Sequence, residues 1–200
     1  MKDRKLPQDA RERVLDAAEK LFAQRGYNAV TLRDIATEVG INHTSLYHHV
    51  PGGKEDLFVE VTERHLQRHR AGITNAAHQA GPEIQARLYA IADWLLSQPP
   101  IDLIRMTYTD MPAIEVERAG RLAQTTFESL LIPIEAVLRE AGEKGEISYQ
   151  QGGPLSGGIL GMIESLFAVP EQALPYSRQR MAHELIDIVM KGLWPRGQKE

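Results

Sequence analysis

Between Thr31 and Lys54 the chain reads TLRDIATEVGINHTSLYHHVPGGK. Four consecutive residues in it, Asn42, His43, Thr44 and Ser45, are small or polar, and each can donate or accept hydrogen bonds. Such a run suits the edges of base pairs, whose donors and acceptors line the major groove. Catalytic chemistry has less to stand on. His65 and His69 stand at i and i+4, a spacing that can hold a metal. No Glu occupies the second position of that pair and no third ligand is evident, so the two read as a solvent-facing pair on a linking helix. Gly52-Gly53-Lys54 is not a phosphate loop, because that loop needs a Gly at position 48, where His stands. Gly152-Gly153 and Gly157-Gly158 follow no clear strand, so no dinucleotide fingerprint is present. Cys is absent, which excludes disulfides, thiolate nucleophiles and thiolate metal sites. No metal and no cofactor is expected.

The elements that must position Asn42–Ser45 are legible around them. Val14, Ala18, Leu21 and Phe22 form an apolar stripe over residues 8–25, with Asp9 and Glu12 at capping-box spacing and Gly26 placed to stop the helix. Thr31 with Asp34 is a second capping box, opening a short helix through Ile35, Ala36 and Val39. Gly40 ends it and Asn42 caps a third helix containing Leu46 and Tyr47. Val50-Pro51-Gly52-Gly53 is a break, after which Leu57, Phe58, Val61 and Leu66 stripe a fourth helix. Helix, Gly-containing turn, helix is helix-turn-helix geometry. In such a unit the second helix enters the major groove and its first residues meet base edges.

At these residues the chain resembles the TetR family of transcriptional regulators. The resemblance rests on Leu21-Phe22-Ala23-Gln24-Arg25-Gly26-Tyr27, Thr31-Leu32-Arg33-Asp34-Ile35-Ala36, Val39-Gly40-Ile41, Ser45-Leu46-Tyr47-His48-His49 and Pro51-Gly52-Gly53-Lys54-Glu55-Asp56-Leu57. It covers residues 9–60. Val50 departs from the family's usual Phe, and the two-Gly turn resembles one branch of the family. The resemblance implies that Thr31 and Tyr47 contact phosphate through their hydroxyls. It implies the same for Lys54 through its charge, with His48 a further phosphate candidate. Arg33, Asn42, His43, Thr44 and Ser45 would read bases, and His49 reads as a packed or capping histidine.

Length and charge agree with a two-part molecule. Two hundred residues suffice to bury a core without staples. Net charge is −4, unevenly spread: residues 1–70 hold 12 Lys and Arg against 11 Asp and Glu, whereas the rest hold 11 against 16. Five of seven His also lie in the first 70. If DNA is bound, the first third binds it. The start, MKDRKLPQD, has no apolar core of a signal, and no stretch is long and unbroken enough to span a bilayer, so a cytoplasmic location without membrane contact is expected.

The remaining sequence predicts further helices over 82–97, 102–109, 114–141 (bent near Gly120 and Pro133), 154–169 and 176–194. Gly153, Gly157 and Gly161 recur every four residues, and Ile163, Glu164 and Phe167 continue that helix. With Leu185, Ile188 and Val189 of the last helix they suit a four-helix interface between two copies, as the family resemblance also implies. Tyr89, Trp94, Met106, Tyr108, Met111, Phe127 and Met162 are candidate lining for a small-molecule effector of unknown identity, since apolar pockets favour aromatics and Met. The expected fold is all-α: residues 1–53 a three-helix DNA-binding domain with helix-turn-helix, residues 54–200 a helical bundle of about six helices for effector binding and dimerisation, with 54–75 connecting them. The expected function is a homodimeric repressor on a palindromic double-stranded operator, released by its effector. The alternatives are a helical small-molecule or metal-binding protein without operator recognition, and a helical hydrolase using His65 and His69.

Overall fold

The computed structural model describes residues 7–148 and 154–193, with side chains from residue 10 onward. The Asp9 side chain, Gly153 and Trp194 therefore lie outside the described residues. Every regular element within them is helical. The chain forms two compact units, one running to Leu66 and including Asp102–Thr125, the other comprising Gln67–Ile101 and the residues from Thr126 onward. This differs from a boundary after residue 53. The division falls inside the long helix α4 (Gly53–Gln79), and a stretch expected in the second domain belongs with the first unit.

The first unit is built on α1 (Pro7–Ala29), α2 (Leu32–Val39), α3 (His43–His49) and the start of α4. Inside α1, Gly26 breaks the helix with φ 78° and ψ 168°, a region that only glycine occupies without strain. The capping box opening α2 is closed on both sides. The Thr31 backbone N–H donates to Asp34 Oδ2 at 2.8 Å and the Asp34 N–H donates to Thr31 Oγ1 at 3.2 Å. Gly40, at φ 75°, turns the chain while the Ile41 N–H closes back on the Ala36 carbonyl at 3.0 Å. Asn42 Oδ1 then accepts the Ser45 N–H at 2.8 Å and caps α3. Val14, Ala18, Leu21, Phe22, Ile35, Leu46, Leu57 and Phe58 fill the core between these helices. Val50 is buried there too.

Residues 102–125 complete this unit. Asp102 caps the short α6 (Leu103–Arg105), which widens into a π-helical turn at Met106–Asp110 and ends in a 3-10 turn at Met111–Ala113. Met106, Met111, Ile114 and Leu122 of this stretch and of α7 (Val116–Thr126) join the core of the head. A second π-turn, Phe127–Leu131, precedes α8 (Ile132–Glu143). Each π-turn closes one residue before a proline: the Met111 N–H bonds the Met106 carbonyl ahead of Pro112, and the Ile132 N–H bonds the Phe127 carbonyl ahead of Pro133. Proline has no N–H, and its ring clashes with the carbonyl four residues back. Widening the preceding turn removes that conflict without ending the helical path. The break in this region therefore falls before Pro133 and not at Gly120.

The second unit contains the end of α4, α5 (Ile84–Ser97), α8, α9 (Leu155–Ser165) and α10 (Arg178–Leu193). Ile73, Leu88, Ile91, Leu95, Ile134, Leu138, Ile159, Leu160, Ile163 and Ile186 are buried in it. Pro82 lies just ahead of α5, whose N-cap position is Glu83. Gly72 is a close-approach site: a Cβ there would stand 1.9 Å from the Trp94 ring. Between α5 and α10 the Tyr89 ring stacks on His183 at 4.0 Å, the Tyr89 hydroxyl bonds Asp187, and His183 Nε2 meets Asp93 at 3.0 Å.

Candidate nucleic-acid interface

The geometry of α3 follows from its alternation of anchors and free side chains. Leu46 has no solvent exposure and fixes the helix to the core. Truncating such a residue to Ala costs about 2–5 kcal/mol. Asn42, His43, Thr44, Tyr47 and His48 are exposed on the opposite side, Tyr47 to 49 %, while Ser45 and His49 are half-buried. The His43 and Tyr47 rings meet edge to face at 5.0 Å, which holds both on the outer surface. The structure thus leaves His43, Thr44, Tyr47 and His48 of α3, and Asn42 at its cap, exposed. Arg33 is exposed at the start of α2.

Three of the candidate DNA-contacting residues, Asn42, Thr31 and Lys54, have additional work in the fold. The Asn42 carboxamide oxygen is the cap of α3, leaving its NH₂ as the outward donor. The Thr31 hydroxyl donates to Asp34 Oδ2 at 2.6 Å. That bond and the Thr31 N–H hold the Asp34 carboxyl below the usual carboxylate range. Lys54 Nζ lies over the Tyr27 ring, 4.2 Å from its centroid. Burial there lowers the lysine's pKa from its ordinary value, with Asp110 and Asp34 opposing the effect.

Side chains not singled out from sequence clamp this head. Arg105 Nη2 donates to the Ala23 carbonyl at 2.7 Å and to the Phe22 carbonyl at 3.2 Å, satisfying acceptors at the end of α1. Arg105 Nε also donates to Asp110 Oδ2 at 3.3 Å, and Asp110 Oδ1 accepts the Tyr27 N–H at 2.8 Å. Asp110 is only 3 % exposed. A second clamp joins Arg118 to Asp56 and Glu55, and the Glu115 N–H donates to Glu55 at 3.0 Å. Tyr27 and Asp110 are 83 positions apart, and an isolated Asp within MTYTDMP carries no local signal of such a contact.

Of the effector candidates, Met106 and Met111 are buried in the core of the head, whereas Tyr108 and Phe127 are 77 % and 52 % exposed. Tyr89 is engaged with α10, Trp94 lies on Gly72, and Met162 is half-buried on α9. In the dimer set, Ile163 is buried within its own unit, and Gly157 faces Leu131. Gly158 and Gly161 open outward, Leu185, Val189 and Phe167 are half-buried, and Ile188 is 66 % exposed. Glu164 accepts the Ile101 N–H at 3.2 Å, and burial pushes its carboxyl up to about 7. His65 and His69 are not a solvent-facing pair: His65 Nδ1 meets Glu19 at 3.1 Å, and His69 is 1 % exposed. Among the described residues no group of three or more His, Asp or Glu is arranged to hold a metal. No helix among them is long and apolar enough to cross a membrane.

Residues 14–61 match the family model described as bacterial regulatory proteins, tetR family. The HTH-type transcriptional regulator LmrA of Bacillus subtilis (strain 168) is 37 % identical over 83 residues, 40 % of this chain and 44 % of that protein. The HTH-type transcriptional repressor KstR2 of Rhodococcus jostii (strain RHA1) is 49 % identical over 51 residues, 26 % of this chain and 24 % of that protein. The matches thus span less than half the length of these curated relatives. The crystal structure of AibR, in complex with isovaleryl coenzyme A and operator DNA, matches 90 % of this chain and 97 % of its own with a TM-score of 0.72 at 15 % identity. That is a likeness of fold.

Proposed function

We propose, on the premise that the head belongs to the TetR family, that this chain is a cytoplasmic, ligand-responsive repressor that binds a palindromic operator as a homodimer. The observation that carries the reading is α3 itself, anchored through Leu46 with Asn42, His43, Thr44, Tyr47 and His48 outward. His43, Thr44 and the Asn42 amide offer hydrogen-bonding groups to base edges, with Arg33 and Ser45 flanking them. Tyr47, His48, Lys54 and Thr31 offer groups to phosphate. Phosphate contacts set the register and base contacts set the sequence. Two copies related by a two-fold axis repeat the reading head and make the site symmetric. The outward face of Gly158, Gly161, Leu185, Ile188 and Val189 on α9 and α10 supports that pairing.

An effector releases the operator only to the extent that it binds the DNA-incompetent state more tightly. AibR, solved with an acyl coenzyme A and operator DNA, supports a ligand-responsive mode on this fold, and the repressor KstR2 supports the direction of control. The test is selection of duplexes from a random-sequence pool by the full chain. A two-fold symmetric consensus is expected. An unenriched pool after repeated rounds, with folded dimeric protein, refutes the reading.

A further inference from the structure

The seven residues of α3 include three imidazoles, His43, His48 and His49, and no carboxylate. His43 and His48 are exposed on the face described above, and His49 is half-buried. Among the described residues none of the three has a carboxylate partner; the one ring contact is His43 on Tyr47. Several acids of the neighbouring elements are engaged elsewhere; on α1, Glu12, Asp16 and Glu19 pair with Arg64. On α2, Asp34 is held by Thr31, and Glu38 by Lys20 of α1 at 2.7 Å. On α4, Glu55 accepts the Glu115 N–H, and Asp56 pairs with Arg118. Cations on these elements include Lys20, Arg25, Arg33 and Lys54. Among the described residues, His43 and His48 thus face outward without a carboxylate partner.

Duplex DNA supplies an anionic partner. Phosphate oxygens favour the charged imidazole, and an imidazolium donates from both ring nitrogens, matching phosphate and the N7 and O6 acceptors of guanine. Imidazoles change charge near neutral pH. We propose that His43 and His48 couple DNA binding to proton uptake, so that affinity for duplex DNA rises as pH falls through neutrality. This rests on the reading of α3 as the DNA-contacting helix. The sign follows from linkage: DNA takes up the proton, so the gain is complete at acid pH and is lost as the imidazolium titrates in the complex. One imidazole favoured by one pH unit contributes about tenfold in affinity, and a dimer presents two such rings per subunit.

The experiment uses the full chain and the duplex most enriched from a random pool at pH 7. Binding is followed by fluorescence anisotropy at constant ionic strength from pH 6 to pH 8. Wild-type affinity is expected to be at least about tenfold higher at pH 6. Gln keeps a hydrogen-bonding group but cannot take the charge, so His43→Gln combined with His48→Gln is expected to bring the ratio below about twofold. If the double variant binds too weakly to measure, each single variant is expected to lower the slope of log affinity against pH. Circular dichroism confirms that the variants fold. A wild-type ratio under about twofold, or variants that keep the wild-type slope, overturns the proposal while leaving DNA binding intact. If no duplex is enriched, the reading of α3 falls first and this coupling falls with it.

Discussion

Replacing Gly26 by Ala tests whether residues 102–125 are built onto the head. At φ 78° and ψ 168° the backbone sits where a Cβ is strained, a cost of about 1–3 kcal/mol. The new Cβ also stands 3.0 Å from Asp110 Oδ1 and 3.1 Å from Arg105 Cδ. These are the side chains that take the Tyr27 N–H and the last carbonyls of α1. Displacing the Asp110 carboxylate weakens a buried charge-assisted hydrogen bond, worth about 1.5–3 kcal/mol. Gly26→Ala is therefore expected to destabilise the protein by roughly 3–5 kcal/mol. The two parts separate in a double-mutant cycle with Asp110→Ala, by guanidinium unfolding followed by circular dichroism and Trp fluorescence. With the carboxylate gone, Gly26→Ala is left with the backbone strain, about 1–3 kcal/mol, so a coupling of at least about 1 kcal/mol is expected. A Gly26→Ala effect below about 0.5 kcal/mol, or strict additivity with Asp110→Ala, refutes the packing of this segment on α1.

Glu164 makes stability depend on pH. Its carboxyl is raised to about 7 in the fold, so the fold binds this proton more tightly than the unfolded chain does. The resulting stability is complete below the ordinary glutamate range and is lost as pH rises through about 7. Glu164→Gln is expected to raise thermal stability at pH 8 by roughly 1–3 kcal/mol and to flatten the change between pH 5 and pH 8; a parallel pH profile for wild type and variant speaks against this. Ile188→Lys places a charge on the outward face of α10 and is expected to shift sedimentation from dimer toward monomer, whereas an unchanged dimer places the interface elsewhere. Tyr47→Phe is expected to weaken binding to every duplex by about 1 kcal/mol, while Thr44→Ala changes which bases are enriched. Equal losses on selected and random duplexes for Thr44→Ala remove its base-reading role.

Interactions that close within a few residues were legible in the chain. The Thr31–Asp34 box, the Gly40 turn and the Asn42 cap span at most five positions, and side-chain type alone specifies them. Leu46 inward with His43, Thr44, Tyr47 and His48 outward follows from 3.6 residues per turn, so the exposed face of α3 was legible with its elements. A break near Pro133 was likewise expected from the chain, whereas at Pro112, where the helix was expected to stop, the path widens and continues.

Contacts across long separations were not legible, because an apolar stripe says that a face is buried and not what buries it. Met106 and Met111 were candidates for pocket lining or for core, with core the commoner reading at that spacing; only the folded chain sets them in the head, where Arg105 and Asp110 hold the end of α1 from 83 positions away. The glycines of α9 show the same division. Their recurrence on one face follows from periodicity, but the orientation of the helix decides that Gly157 meets Leu131 while Gly158 and Gly161 open outward. Periodicity sets relative angle around one helix axis, and packing against the neighbours sets the absolute one.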